Sequence, residues 1–143
     1  MRALLSWNGG GANSTGVGIA NIDFHGFVHP DQFWQDYTFG SIRERPFGDI
    51  WMDETDPLMR GLKRKAEYIK GRCRVCAYRD LCNGSMRVRA FRAYNDPWAP
   101  DPQCYLTDDE IGLTEEAKGE LVSKGEDYPI PKELSAESSF GIG

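Results

Sequence analysis

All four cysteines of this chain fall between residues 73 and 104, in the spacing C-x2-C-x5-C-x21-C, and no other feature narrows its possible folds as sharply. Cys73, Cys76 and Cys82 come from one short stretch, and Cys104 returns after a helix-length excursion. That arrangement suits a single metal centre. Three chemistries compete for it. Disulfides fit an even cysteine count in a secreted chain, but the opening residues Met1 to Asn8 hold no apolar core long enough for a signal peptide. Zinc more often takes two similar C-x2-C knuckles, and the second half of this pattern is not a knuckle. An iron–sulfur cluster tolerates asymmetric spacing, because its irons are spread over a cube that thiolates approach from several corners. On spacing alone, cluster, zinc and disulfides or unliganded thiols all stay open.

Charge points to the same stretch. Residues 60–92 carry 11 basic side chains against only Glu67 and Asp80, whereas residues 1–59 carry 3 basic and 8 acidic and residues 93–143 carry 3 basic and 12 acidic. A cluster held by four thiolates is a net anion, and a surrounding positive field stabilises it and would also draw in a carboxylate-rich substrate. Nucleic acid is the rival partner for a basic block, but no RNA-binding or helix-turn-helix signature accompanies it and the net charge is −5. No stretch approaches the roughly 20 apolar residues that span a bilayer. The expectation is a cytoplasmic protein with no nucleic-acid and no membrane partner.

At 143 residues, with 40% hydrophobic and 12% aromatic content, the chain can bury one modest core. The glycine-rich run Asn8 to Gly18 lacks the Lys-Ser/Thr of a phosphate loop and reads as a lead-in over residues 1–15. Val17 to Phe24 alternates as a strand anchored by Val17, Ile19 and Ile22, His25-Gly26 turns, and Phe27 to His29 returns until Pro30 stops it. Thr38 to Ile42 reads as a third extended arm. Pro46 opens a helix through Trp51, Asp56-Pro57 starts another running to Glu67, and Asn83-Gly84-Ser85 starts a third through Tyr94. Thr107 to Glu110 has the form of a capping box, and Thr114 to Lys124 reads as a last helix before a loose tail. The fold class is therefore α+β: a small β-hairpin followed by short helices wrapped around one metal centre.

Several stretches together resemble the C-terminal auxiliary-cluster domain, of SPASM or twitch type, of radical S-adenosylmethionine enzymes, within their tetrapyrrole-modifying branch in haem d1 and alternative haem biosynthesis. They are Gly16 to Asp23, Val28-His29-Pro30-Asp31-Gln32-Phe33-Trp34, Arg43-Glu44-Arg45-Pro46-Phe47, Ile50-Trp51, Asp56-Pro57-Leu58-Met59, Lys70-Gly71-Arg72-Cys73, Arg87-Val88-Arg89-Ala90, Asp96-Pro97-Trp98 and Cys104-Tyr105-Leu106. The likeness implies an auxiliary domain over residues 16–112, followed by a helix and tail over 113–143. It implies that Cys73, Cys76, Cys82 and Cys104 hold one [4Fe-4S] cluster. It also implies electron-transfer and substrate-binding roles in trimming the side chains of a sirohaem-derived tetrapyrrole.

Two departures qualify the resemblance. Peptide-modifying relatives carry a further cysteine after the hairpin, where His29-Pro30-Asp31 stands here. The C-x3-C-x2-C motif, whose cluster binds S-adenosylmethionine, is absent. The chain therefore looks like a fragment or one half of a split gene. It should be inactive alone, and the implied partner is a radical S-adenosylmethionine barrel that brings the second [4Fe-4S] cluster. His29 could ligate a tetrapyrrole iron or simply bond a backbone carbonyl. Arg87, Arg89 and Arg92 could grip propionates or pair with nearby Asp96 and Asp101, and at 100° per residue Arg89 and Arg92 share a helix face that Arg87 does not. The alternative function is a metal-stapled interaction module, with zinc or a structural cluster and no redox duty.

Overall fold

The computed structural model describes residues 14–129 and Ala3. Most of the glycine-rich lead-in and the end of the expected tail lie outside the described residues. Among the described residues, a small meander precedes the run of helices. Strand β1 (Asn21–Ile22) pairs antiparallel with β2 (Val28–His29), Asn21 opposite His29 and Ile22 opposite Val28. The turn between them is held by Asp23, whose carboxylate accepts the amides of His25 and Phe27, each at 2.9 Å. The third arm is present as a ladder extension: the Val28 amide donates to the Gly40 carbonyl at 2.8 Å and the Phe39 amide to the Val28 carbonyl at 2.9 Å.

Strand β1 is shorter than the alternation predicts, and two of its expected anchors face outward. Val17 is 55% and Ile22 44% exposed. The backbone at Ser14 explains part of this, because its carbonyl accepts the amides of Val17, Gly18 and Ile19 and coils the chain into a tight turn. Thr15 carries the burial instead, donating its hydroxyl to Asp31 at 2.7 Å.

Seven helices follow among the described residues: α1 (Phe47–Trp51), α2 (Pro57–Lys63), α3 (Lys65–Tyr68), α4 (Gly71–Val75), α5 (Arg79–Cys82), α6 (Arg87–Tyr94) and α7 (Glu115–Ser123). Asp56 caps α2, accepting the amides of Leu58 and Met59, and Pro57 sits just inside. The helix expected to run to Glu67 is broken at Arg64, whose backbone leaves the helical region (φ −129, ψ 39). The break sets Lys65 at the start of α3 with its ammonium buried against the Thr15 carbonyl at 2.6 Å.

The core lies between the meander and the middle helices: Val28, Trp34, Phe39, Ile50, Leu58, Met59, Leu62 and Val88, with Tyr37, Trp51, Phe91 and Trp98 packed against them. Each fully buried aliphatic side chain of this kind contributes about 1.5–3 kcal/mol. Helix α7 packs on α4, so the C-terminal part of the described chain braces the first cysteine. Among the described residues, no helix is long and apolar enough to cross a membrane.

Candidate metal centre

Short elements place each cysteine. Cys73 lies within α4, and Cys76 ends it with extended dihedrals (φ −63, ψ 134). Cys82 is the last residue of α5, after which Asn83, Gly84 and Ser85 all take positive φ, at 47°, 76° and 58°. Three left-handed residues in a row, two of them bearing side chains, are strained backbone that the surroundings must hold in place. Cys104 arrives on the loop after α6. Asp101 shapes that approach: its carbonyl accepts the Cys104 amide at 3.1 Å and its carboxylate the Gln103 amide at 3.1 Å.

All four cysteines are free thiols, partly buried, and they line one cavity of about 220 Å³. Tyr78, Gly84, Ser85, Arg89 and Asp101 complete much of its wall. Among the described residues, no three Cys, His, Asp or Glu side chains are grouped tightly enough to share a single ion.

The donor set is suited to anionic sulfur. The Tyr78 amide donates to Cys76 Sγ at 3.3 Å, and the backbone amides at Asp101 and Gly84 favour the ionised form of Cys73 and Cys82. Burial pushes the thiols of Cys73, Cys76 and Cys82 up from their ordinary value, the amides pulling the other way. Loading with metal must therefore release protons from groups that hold them in the free chain.

The three arginines named from the sequence have separate environments. Arg87 is wholly buried, donating through Nη1 to the carbonyls of Pro97 at 3.1 Å and Ala99 at 2.7 Å. Arg89 stands on the cavity wall, bonded to Asp101, to Ser85 Oγ at 2.8 Å and to Gln103 Oε1 at 3.1 Å. Arg92 is exposed and donates to the Phe33 carbonyl at 3.2 Å. Arg89 and Arg92 border a shallow recess with Phe33, Met86, Val88 and Gln103, so Arg89 and Gln103 wall both it and the cysteine cavity.

His29 is buried, and it lines neither space. Its Nδ1 faces the Tyr37 carbonyl at 2.6 Å and its Nε2 the Asp23 carboxylate at 3.2 Å. Both ring nitrogens are thus engaged inside the meander, and neither is offered outward.

The sequence offered Asp101 only as a possible pair for the arginines; it is 6% exposed, takes Arg89 and also shapes the Cys104 loop. The signal was present in Asp101-Pro102-Gln103, an Asx-type turn just before a cysteine. Sequence reasoning missed α4 and α5, each a single turn too short for hydrophobic periodicity to register.

The chain has relatives among known proteins. The chain is similar to an Fe-coproporphyrin III synthase of Methanosarcina barkeri, 52% identical over 115 residues that make up 78% of this chain and 28% of that protein. It is similar to a pre-heme d1 synthase of Dinoroseobacter shibae, 48% identical over 109 residues, 76% of this chain and 26% of that protein. An AdoMet-dependent heme synthase of Methanosarcina barkeri matches at 42% over 65 residues, 46% of this chain and 18% of that protein. The chain thus spans a little over a quarter of the length of the first two relatives. No protein-family profile matches the chain, and no solved structure does. The resemblance to radical S-adenosylmethionine enzymes of haem and haem d1 biosynthesis, drawn from the sequence, is borne out.

Proposed function

We propose that this chain, a relative of one part of the haem-pathway radical S-adenosylmethionine enzymes, holds one auxiliary [4Fe-4S] cluster and presents it to a tetrapyrrole substrate. The cluster-holding unit is residues 16–112, and Cys73, Cys76, Cys82 and Cys104 are its ligands. The observation that carries the reading is the shared cavity: all four cysteines line one space, and the Tyr78 amide donates to Cys76 Sγ within it.

When bound, such a cluster supplies a site that accepts or returns one electron. The residues of this chain do the rest. The amides of Tyr78, Gly84 and Asp101 favour the thiolate form of the ligands, and the basic block from residue 60 to 92 balances the resulting charge. The recess beside the cavity, lined by Phe33, Met86, Val88, Arg89 and Arg92, offers an apolar face and two cations to a flat molecule carrying carboxylates. Because Arg89 and Gln103 belong to both spaces, a substrate seated there would lie one side-chain layer from the cluster.

The radical-generating region and S-adenosylmethionine are partners in this proposal. With that region on the same polypeptide, Cys82→Ala should abolish single-turnover product while cleavage of S-adenosylmethionine continues. Unchanged product yield would remove the electron-transfer role.

A further inference from the structure

Arg87 is 0% exposed, and only one of its three guanidinium nitrogens is fully used. Nη1 donates to two carbonyls, whereas Nε and Nη2 are buried without a hydrogen-bond partner. An arginine cannot shed its proton to relieve that situation, and buried donors left empty are rare and costly. Asp101, a carboxylate whose charge acts on Arg87, is already taken by Arg89.

The Nη2 side of Arg87 packs against Gly84, and Gly84 in turn lines the cysteine cavity. Gly84, on the cavity wall, approaches so closely that a Cβ there would stand 2.7 Å from Arg87 Cζ and Nη2. With φ of +76° and no side chain, Gly84 leaves only backbone on that side of the guanidinium. Burial pulls the Arg87 pKa down, and the charges of Cys73, Asp101 and Cys82 oppose that pull.

We infer that Arg87 is a positioning residue for the metal centre, its Nε–H and Nη2–H reserved as hydrogen-bond donors to the sulfurs of Cys73 and Cys82 when these are ionised and bound. A buried, fixed cation on the ligand sulfurs stabilises the more negative, reduced state and holds the reduction potential up. The inference rests on the reading that the four cysteines hold a [4Fe-4S] cluster.

The test uses the full chain, loaded anaerobically with iron and sulfide, as wild type, Arg87→Met, Arg87→Lys and Gly84→Ala. Dye-mediated titration gives the potential, and electron paramagnetic resonance of the reduced state gives the ligand environment. Arg87→Met should lower the potential and alter the signal. Arg87→Lys, which keeps the charge but not the fork, should fall between it and wild type. Gly84→Ala, which displaces the guanidinium without removing it, should shift the potential in the same direction as Arg87→Met. Where Arg87→Met fails to fold, the other two variants decide. A cluster in Arg87→Lys and Gly84→Ala with wild-type potential and signal overturns the inference while leaving the cluster reading intact. A wild-type chain that takes zinc and no iron overturns both.

Discussion

Trp98 lies against helix α2 at Gly61 so closely that a Cβ on residue 61 would stand 2.2 Å from Cζ2 of the indole. The contact seats the loop that goes on to deliver Cys104, and the Lys70 amide fixes it further by donating to the Trp98 carbonyl at 2.8 Å. The same glycine that weakens α2 in isolation is therefore what lets the fourth cysteine return to the other three.

Gly61→Ala should cost about 1–3 kcal/mol despite alanine's better helix propensity, because the indole has to move to make room. Chemical denaturation of the metal-free chain measures it. A neutral or stabilising effect would mean that Trp98 is not seated as described.

Asp96 ties the same loop to the C-terminal segment. Its carboxylate accepts Lys70 Nζ at 2.8 Å, the Tyr128 hydroxyl at 2.9 Å and the Trp98 amide at 2.9 Å. Burial pushes its pKa up, but the hydrogen bonds from Lys70, Trp98 and Tyr128 outweigh this and hold it below the ordinary 3.8. A depressed carboxyl contributes stability above its unfolded pKa and loses it as pH falls through the folded one. Asp96→Asn should thus destabilise by about 1–3 kcal/mol at neutral pH, and the gap from wild type should close below about pH 4. A gap that persists unchanged in acid would assign the effect to packing.

Lys65 gives a pH dependence of the other sign. Burial lowers its pKa to about 8, the Arg87 guanidinium adds to the shift, and Asp31 opposes it. Between pH 8 and the ordinary 10.5, the unfolded chain binds a proton that the folded chain has released. Folding stability must then rise with pH across that window, by at most about 1.4 kcal/mol per unit. Measured as the difference between wild type and Lys65→Met, the term should climb from pH 8 to 10. A flat difference would show that Lys65 keeps its proton in the fold.

Arg92 is exposed, so its loss should leave stability nearly unchanged. Under the proposed function, Arg92→Ala should still weaken binding of a carboxylate-bearing tetrapyrrole about tenfold, the worth of one charge-assisted bond. Titration followed by the absorbance of the tetrapyrrole reads this directly. Wild-type affinity in Arg92→Ala would remove the recess from the substrate site.

Much of this arrangement was legible in the sequence where the signal was local. Asp56-Pro57 announced α2, Thr107 and Glu110 close the capping box through the Thr107 amide at 2.8 Å, and Thr114 caps α7. The cysteine spacing anticipated one shared cavity. What stayed hidden depended on distant partners. Arg87 and Arg89 differ by two residues in sequence, yet one is buried under Gly84 and the other paired with Asp101, a distinction that helical spacing suggests but long-range packing decides. His29 looked available because nothing nearby in sequence shows that the Tyr37 carbonyl and Asp23 will enclose it. Arg64 broke a helix that periodicity would have continued, because periodicity does not register the cost of burying Lys65.

What the four cysteines bind decides whether this chain carries an auxiliary cluster. Anaerobic reconstitution of the wild-type chain with iron and sulfide, beside single Cys→Ser variants at residues 73, 76, 82 and 104, measures it. About four irons and four sulfides per chain are expected, with a broad absorbance near about 400 nm that dithionite bleaches, and each serine variant should lose most of that iron. Stoichiometric zinc with no visible band, or iron retained at wild-type levels in the serine variants, would contradict the account.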